Sequence, residues 1–405
     1  MLTRREFGLS SLALLGGCAA GTEPMPGPEG AGAGGATPEP AGLLYVDMHI
    51  DTPGRLVRER LDLSESYVYT HVDIPKMRQG GLTAGFFAVS TPARSQEPVS
   101  AMKNGLLISD AVIREVERHP DDLVLARSST DVLEARANGK VAILLAIEGG
   151  HMIDSSLEVL RHLHRLGVRY MGLTHSGNTP WIGAAEYDDG PEGLTDFGRE
   201  VVREMNHLGM LADLSHASDQ AFFDAVDVST APIINTHAAC RGIANHPRNL
   251  TDDMLRALAG NGGVLGVCYY AGMLDDEFRA SMAQLGELNQ RRGAIRTEFA
   301  DQPTRMSEEL WKIETAGVDL IGQIPIDRLI DHIAHAADVA GIDHVGIGCD
   351  YDSVGLKVPE GLEHIGLTPN LVAALAARGF SDEEVAKIMG GNMLRVMEAA
   401  EAVAG

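Results

Sequence analysis

Eight apolar segments are spread along this chain, and six of them run into a side chain that can bind a metal ion. In order they cover residues 43–46 (followed by Asp47-Met48-His49-Ile50-Asp51), 83–89, 141–147 (followed by Glu148), 170–174 (His175), 210–215 (His216), 232–236 (His237), 263–269 and 344–348 (leading to Asp350). Apolar runs without polar alternation mark parallel strands covered on both faces. Helix-like segments separate them, at 100–118, 155–166, 195–208 and 251–259. Thr195 and Thr251 are expected N-caps, and Gly209 and Gly260 expected stops. Eight strand–helix units specify an α/β fold, a (β/α)8 TIM barrel. Barrels of this kind build their sites at the C-terminal strand ends, so the polar strand ends are expected to converge on one site.

The rhythm breaks once, between the seventh and eighth runs. That interval is mostly polar and helix-favouring, as in residues 277–292, and is expected to form a helical insertion above the barrel mouth, a lid or an oligomer contact. Two further helices, 381–389 and 391–402, are expected to close the chain.

The N-terminal region reads as targeting sequence. Arg4-Arg5 precede an apolar stretch over 7–15 that is too short to span a bilayer. This resembles a twin-arginine export signal, and Leu15-Gly16-Gly17-Cys18 resembles a lipoprotein cleavage box that would leave Cys18 lipidated. Residues 19–42, rich in Gly, Ala, Pro and Glu, read as a flexible tether. The expected organisation is a signal peptide over 1–18, a linker over 19–42 and a single catalytic domain over 43–405, with the mature protein an exported lipoprotein on the periplasmic side of a membrane. A net charge of −24 argues against binding nucleic acid or an anionic lipid surface. Membrane association is therefore expected only through the anchor at Cys18. Cys240, Cys268 and Cys349, an odd set beside predicted strands, indicate no disulfide framework.

His49 and Asp51 are two apart on one strand and share a face. Glu148 is followed by Gly149-Gly150, which lets other groups approach closely. His216 and His237 end consecutive strands, about 4.8 Å apart in a sheet. Imidazole and carboxylate donors without thiolate suit zinc, with manganese, cobalt or iron as alternatives. His151, His162, His164, His207, His332 and His335 fall on loops or helices and are expected to be structural.

The segments DMHIDTP (47–53), AIEGGHMID (146–154), YMGLTHSGNTPW (170–181), LADLSHAS (211–218), NTHAACRGIANHPRNLTDDML (235–255), HVGIGCDYDS (344–353) and GGNMLRVM (390–397) resemble those of the membrane (renal-type) dipeptidases, metal-dependent barrel hydrolases. The resemblance implies two zinc ions per chain, with His49 and Asp51 on one, His216 and His237 on the other and Glu148 bridging. It implies that His175 contacts the scissile carbonyl, that Arg248 holds the substrate carboxylate and that Asp350 is the general acid/base. Ile50 stands where animal members usually carry Asn, but should face away from the site.

The expected reaction is hydrolysis of a dipeptide, L-L or L-D, by a hydroxide shared between the metals. His175 would meet the oxyanion, and Asp350 would pass the proton to the departing nitrogen. Competing readings are an N-acyl-amino-acid deacylase, a lactonase or a β-lactam hydrolase on the same metals, or a lipoprotein that binds metal without catalysis. Arg241 competes with Arg248 for the carboxylate. A homodimer is the expected assembly.

Overall fold

The computed structural model describes residues 42–91, 100–187 and 189–405. The expected signal peptide, Cys18 and nearly all of the expected tether lie outside the described residues. Among the described residues there are nine parallel strands: β1 (Val46–Ile50), β2 (Ala84–Ser90), β3 (Leu123–Ala126), β4 (Val141–Glu148), β5 (Val168–Gly172), β6 (Leu211–Asp213), β7 (Ile234–Ala238), β8 (Val264–Val267) and β9 (Val345–Ile347). Their order is β2-β1-β9-β8-β7-β6-β5-β4-β3, and β2 also pairs with β4. That pairing, in register from Ala84↔Ala142 to Ser90↔Glu148, closes an eight-stranded barrel. All eight apolar runs of the sequence are barrel strands.

The ninth strand, β3, is also an apolar run, Leu123–Ala126, but only four residues long, and it is not among the eight. It pairs with the first half of β4, from Leu123↔Val141 to Ala126↔Leu144, while the second half of β4 pairs with β5. It lies outside the barrel ring, and only its end residues are fully buried.

Two apolar clusters hold the fold together. The larger fills the space between barrel and helices and includes Ile50, Phe87, Ile143 and Leu265. The smaller fills the barrel interior with Met48, Phe86, Leu144, Ile234 and Val264, and Met393, Val396 and Met397 of the helix Asn392–Ala402 join it.

The capping residues behave as their chemistry dictates. Ser100, Thr195 and Thr251 each accept a hydrogen bond from the backbone N–H three residues on. Gly209 ends its helix in the left-handed conformation at φ 68°. Gly260 instead stays helical, and Asn261 makes the cap.

The insertion lies between β8 and β9, the seventh and eighth barrel strands. It comprises helices Ala271–Leu274, Asp276–Ser281, Gly286–Glu298 and Pro303–Ile321, followed by the barrel's own Ile326–Ala340. The helix expected over 277–292 is broken by a 3-10 turn at Met282–Leu285, which buries Leu285. The insertion is pinned to the rim by Ser307, whose Oγ donates to Glu59 Oε2 at 2.5 Å. No described helix is long and apolar enough to cross a membrane.

His332, on the helix Ile326–Ala340, is fully buried. Its Nδ1 accepts from the Cys240 N–H at 3.0 Å and its Nε2 donates to the Leu274 carbonyl at 3.0 Å. The ring must be neutral to do both, and burial lowers its pKa from 6.5 to about 4. A folded-state pKa below the unfolded one means that the unfolded chain takes up the proton first as pH falls, so stability drops from about pH 6.5 and levels off below about pH 4. The full effect is about 3 kcal/mol. Thermal unfolding of the parent should weaken over this window more steeply than that of His332→Gln, and parallel pH profiles would remove His332 from this role.

Candidate active site

The ligand-bearing strands are aimed by local irregularities. In β1, Asp47 pairs with Gly85 and Ile50 with Phe87, so β1 holds one residue more than β2. Met48 fills the barrel interior, and after this bulge His49 also faces inward, while Ile50 joins the outer cluster as expected. In β7 the same happens between Asn235↔Leu265 and Ala238↔Val267, just where His237 leaves the strand. Bulges re-aim side chains at barrel rims.

The structure brings all eight sequence-predicted site residues to the C-terminal mouth. One oxygen is the focus. Glu148 Oε1 lies 3.5 Å from His49 Nε2, 3.6 Å from His175 Nε2, 3.1 Å from His216 Nε2 and 3.4 Å from His237 Nε2. His216 Nε2 and His237 Nε2 are 3.1 Å apart, and His49 Nε2 is 3.7 Å from Asp51 Oδ1. Three overlapping donor sets result: His49, Glu148 and His237; Glu148, His175 and His216; and His49, Asp51 and Asp350. The donors form one continuous constellation rather than two separate pairs.

Supporting groups orient the imidazoles. His49 Nδ1 is 2.7 Å from the Tyr170 hydroxyl. His237 Nδ1 is 2.9 Å from Thr236 Oγ1, which donates to Asp213 Oδ2 at 3.0 Å. These contacts at Nδ1 turn each Nε2 toward the mouth, the ring orientation that a metal-binding histidine requires. Tyr170, Thr236 and Asp213 were not singled out in the sequence, because their side chains act through another residue.

These residues fit metal ions. His49 Nε2 and Asp51 Oδ1 are buried and have no hydrogen-bond partner. Leaving two buried polar atoms unsatisfied costs roughly 1–3 kcal/mol each, and a cation between them removes that cost.

The charge balance agrees. Burial opposes ionisation of Glu148, but His175, His49 and His216 outweigh it and hold its carboxyl well below the usual range. Burial and then Arg248 hold His216 neutral, and burial, His49 and Arg248 do the same for His237. His49 is pushed up to about 10 because, against burial, Glu148 and Asp51 favour its charged form. Burial and the Asp51 charge push Asp350 up to about 8.

Asp350 and Asp352 follow β9 in left-handed conformations, at φ 59° and 73°, which Asp tolerates better than most residues. Asp352 holds the turn. Its carboxylate takes Arg55 Nη1 at 2.7 Å, Thr52 Oγ1 at 2.5 Å and the His71 N–H at 2.9 Å. Ser353 Oγ donates to Asp350 Oδ1 at 2.6 Å.

Arg241 and Arg248 separate cleanly. Arg241 is committed to Asp219 by two contacts of 2.6 and 2.7 Å. Arg248 has no carboxylate partner among the described residues. Its Nε donates to the Ser215 carbonyl at 3.1 Å, and it lines the cavity containing Glu148, His175, His216, His237 and Asp350. Asn249 fixes its loop by bonding Ala239, Ala244 and Met273. The cavity holds about 650 Å³, within the about 300–1,000 Å³ typical of small-molecule sites.

A closed barrel with carboxylates and imidazoles gathered at its C-terminal mouth defines a metal-dependent barrel hydrolase. The family model for membrane dipeptidases (peptidase family M19) matches residues 41–405. An uncharacterized dipeptidase of Schizosaccharomyces pombe is 34% identical over 379 residues, covering 89% of this chain and 81% of that protein. Dipeptidase tcpJ of Claviceps purpurea is 33% identical over 343 residues, covering 82% and 70%. Among solved structures, a Rhodobacter sphaeroides metallo peptidase liganded with a phosphinate mimic of the dipeptide L-Ala-D-Ala superposes with a TM-score of 0.72 at 23% identity, covering 88% of this chain and 99% of that one. The chain belongs to the membrane dipeptidase family and is a metallo-dipeptidase.

Replacing Glu148 by Gln removes the one anion shared by the four imidazoles. Glu148→Gln should fold, since the amide is isosteric, but retain several-fold less metal after dialysis, measured by elemental analysis. Parent-like metal content would show that Glu148 is not a ligand.

Proposed function

We propose that this protein is a zinc-dependent dipeptidase whose metals are held by His49, Asp51, Glu148, His216 and His237, and that it cleaves L-L and L-D dipeptides. The observation that carries the reading is the convergence of four Nε2 atoms on Glu148 Oε1, with Arg248 at the same cavity. When bound, the ions supply activation of water and polarisation of the carbonyl. The donor set, nitrogen and oxygen without sulfur, suits zinc.

The chain's own residues do the rest. Arg248 grips the substrate's terminal carboxylate, for which its planar fork is suited. This sets the scissile bond over the cluster and turns a collision into a positioned reaction. His175 faces the cavity with its side chain about one-fifth exposed and its Nε2 directed toward Glu148, so it can donate to a developing oxyanion. Asp350, raised toward neutral pH by burial and Asp51, can hold a proton and release it to the leaving nitrogen. Ser353 keeps its carboxyl oriented meanwhile.

The proposal extends to location. Export by the twin-arginine signal and lipidation at Cys18 would place the enzyme on the periplasmic side of a membrane, where peptides are available.

Asp350→Asn should keep its metal yet lose roughly 10²- to 10⁴-fold in kcat; near-parent turnover would remove Asp350 from proton transfer. Arg248→Ala should raise KM for dipeptides by roughly 10- to 100-fold, the worth of a charged hydrogen-bonding pair. An unchanged KM would refute the carboxylate grip.

A further inference from the structure

Two more guanidinium groups line the cavity, carried by elements other than the loop of Arg248. Arg58 ends the helix Thr52–Arg58 that follows β1, and Arg296 lies on the insertion helix Gly286–Glu298. Both line the cavity that contains the donor cluster, and both also line a smaller neighbouring hollow with Arg292 and Trp311. Around the barrel, Arg58 follows β1 and Arg248 follows β7, with β9 and β8 between these strands. The two sources of positive charge thus enter the cavity from strands three places apart in the ring of eight.

Arg58 is aimed inward by a missing side chain. Gly54 sits one turn earlier, and a Cβ there would come within 2.7 Å of Arg58 Nη1. The guanidinium lies back over that bare backbone, toward the rim where Gly54 itself lines the cavity.

The nearby carboxylates are already committed. Glu59 pairs with Arg55 and accepts from Ser307. Glu314 pairs with Arg292 and with Lys357. Asp352 is held by Arg55, Thr52 and His71. Asp51, Glu148 and Asp350 face the donor cluster. Among the described residues neither Arg58 nor Arg296 has an ion-pair partner. Burial, Arg292 and Arg58 disfavour the charged form of Arg296 by more than the already paired Glu314 and Glu59 favour it. Two unpaired like charges held at one cavity wall are unfavourable in the free protein. A bound anion reverses the sign of that interaction.

We infer that Arg58 and Arg296 form a second anion subsite, which selects dipeptides with an acidic side chain on the residue remote from the Arg248-bound carboxylate. The inference rests on the dipeptidase reading and adds the substrate class to it. A substrate anchored by its terminal carboxylate at Arg248 and stretched over the cluster carries its N-terminal residue toward Asp51, Asp350 and Arg58. A Glu or Asp side chain there meets two guanidiniums. Its amide counterpart, Gln or Asn, offers the same shape without the charge. The insertion thereby acquires a role in recognition, since it supplies Arg296.

The test compares matched pairs, Glu-Ala against Gln-Ala and Asp-Ala against Asn-Ala, on the zinc-loaded protein. The acidic member should be favoured at least about tenfold in kcat/KM, the effect of one charge-assisted contact. The preference should shrink as salt is raised, because both residues are open to solvent at the cavity wall. In the double variant Arg58→Gln, Arg296→Gln the ratio should fall toward unity, and Arg296→Glu should favour the amide member. Phosphinate mimics of Glu-Ala and Gln-Ala, measured by calorimetric titration, should show the same ratio in Kd without turnover. Equal cleavage of both members by the parent overturns the subsite and leaves the dipeptidase reading standing. A preference that survives the double variant also overturns it. Cleavage of neither member, nor of any other dipeptide, overturns the dipeptidase reading and the subsite with it.

Discussion

A single carboxylate oxygen at the centre of four imidazoles is the interaction on which the functional architecture depends. Glu148 comes from β4, and the histidines around it from the ends of β1, β5, β6 and β7. Here the closed ring of strands brings five such chain segments to one point. The pairing of β2 with β4 that completes the ring is thus a condition of the site as well as of the fold. The cost is a mouth crowded with buried ionisable groups. A carboxylate out of water is unfavourable unless it is paired, and the imidazoles surrounding Glu148 provide the pairing in the protein alone. Cations in the same place would satisfy Glu148 and also the partnerless His49 Nε2 and Asp51 Oδ1. Metal binding and the stability of the barrel mouth are therefore coupled.

The barrel strands were legible in the sequence because burial on both faces imposes an unmistakable pattern, and the site because ligand chemistry permits few residue types. His49, Asp51, Glu148, His216 and His237 stand at strand ends, where a residue type is informative. What stayed hidden is what depends on geometry finer than the pattern. The extra residues in β1 and β7 cannot be read from hydropathy, since Met48 and His49 both face inward and break the alternation. The strand β3 escaped notice because it is short and only half-covered. Tyr170, inside an apolar run, looked like core and is core, yet its hydroxyl reaches His49.

Arg241 and Arg248 show two residues that the sequence cannot tell apart and that the structure places differently. They lie seven apart in one loop and are chemically the same. The difference is made by Asp219, which captures Arg241 and leaves Arg248 facing the cavity. Asp352 works in a comparable way on the other side of the mouth. It was visible as part of a motif beside Asp350, but its role as the anchor for Arg55, Thr52 and His71 requires segments almost 300 residues apart to meet. That anchor holds a turn with two left-handed aspartates, Asp350 and Asp352, on either side of Tyr351.

The overall charge of −24 gives the local arginines their significance. At physiological salt the field of distant surface charges is screened beyond about 8 Å, so the acidic exterior neither attracts nor strongly repels a small peptide inside the mouth. Recognition is left to groups in contact with it. Most carboxylates at the rim are consumed by internal partners, Glu314 by Arg292 and Lys357, Glu59 by Arg55. The cluster carboxylates face the metal-binding groups. Positive charge is what remains available, from the loop after β7, the helix after β1 and the insertion before β9. An acidic protein can thus keep at its mouth guanidiniums without an ion-pair partner among the described residues, Arg58, Arg248 and Arg296, because the carboxylates beside them are engaged elsewhere.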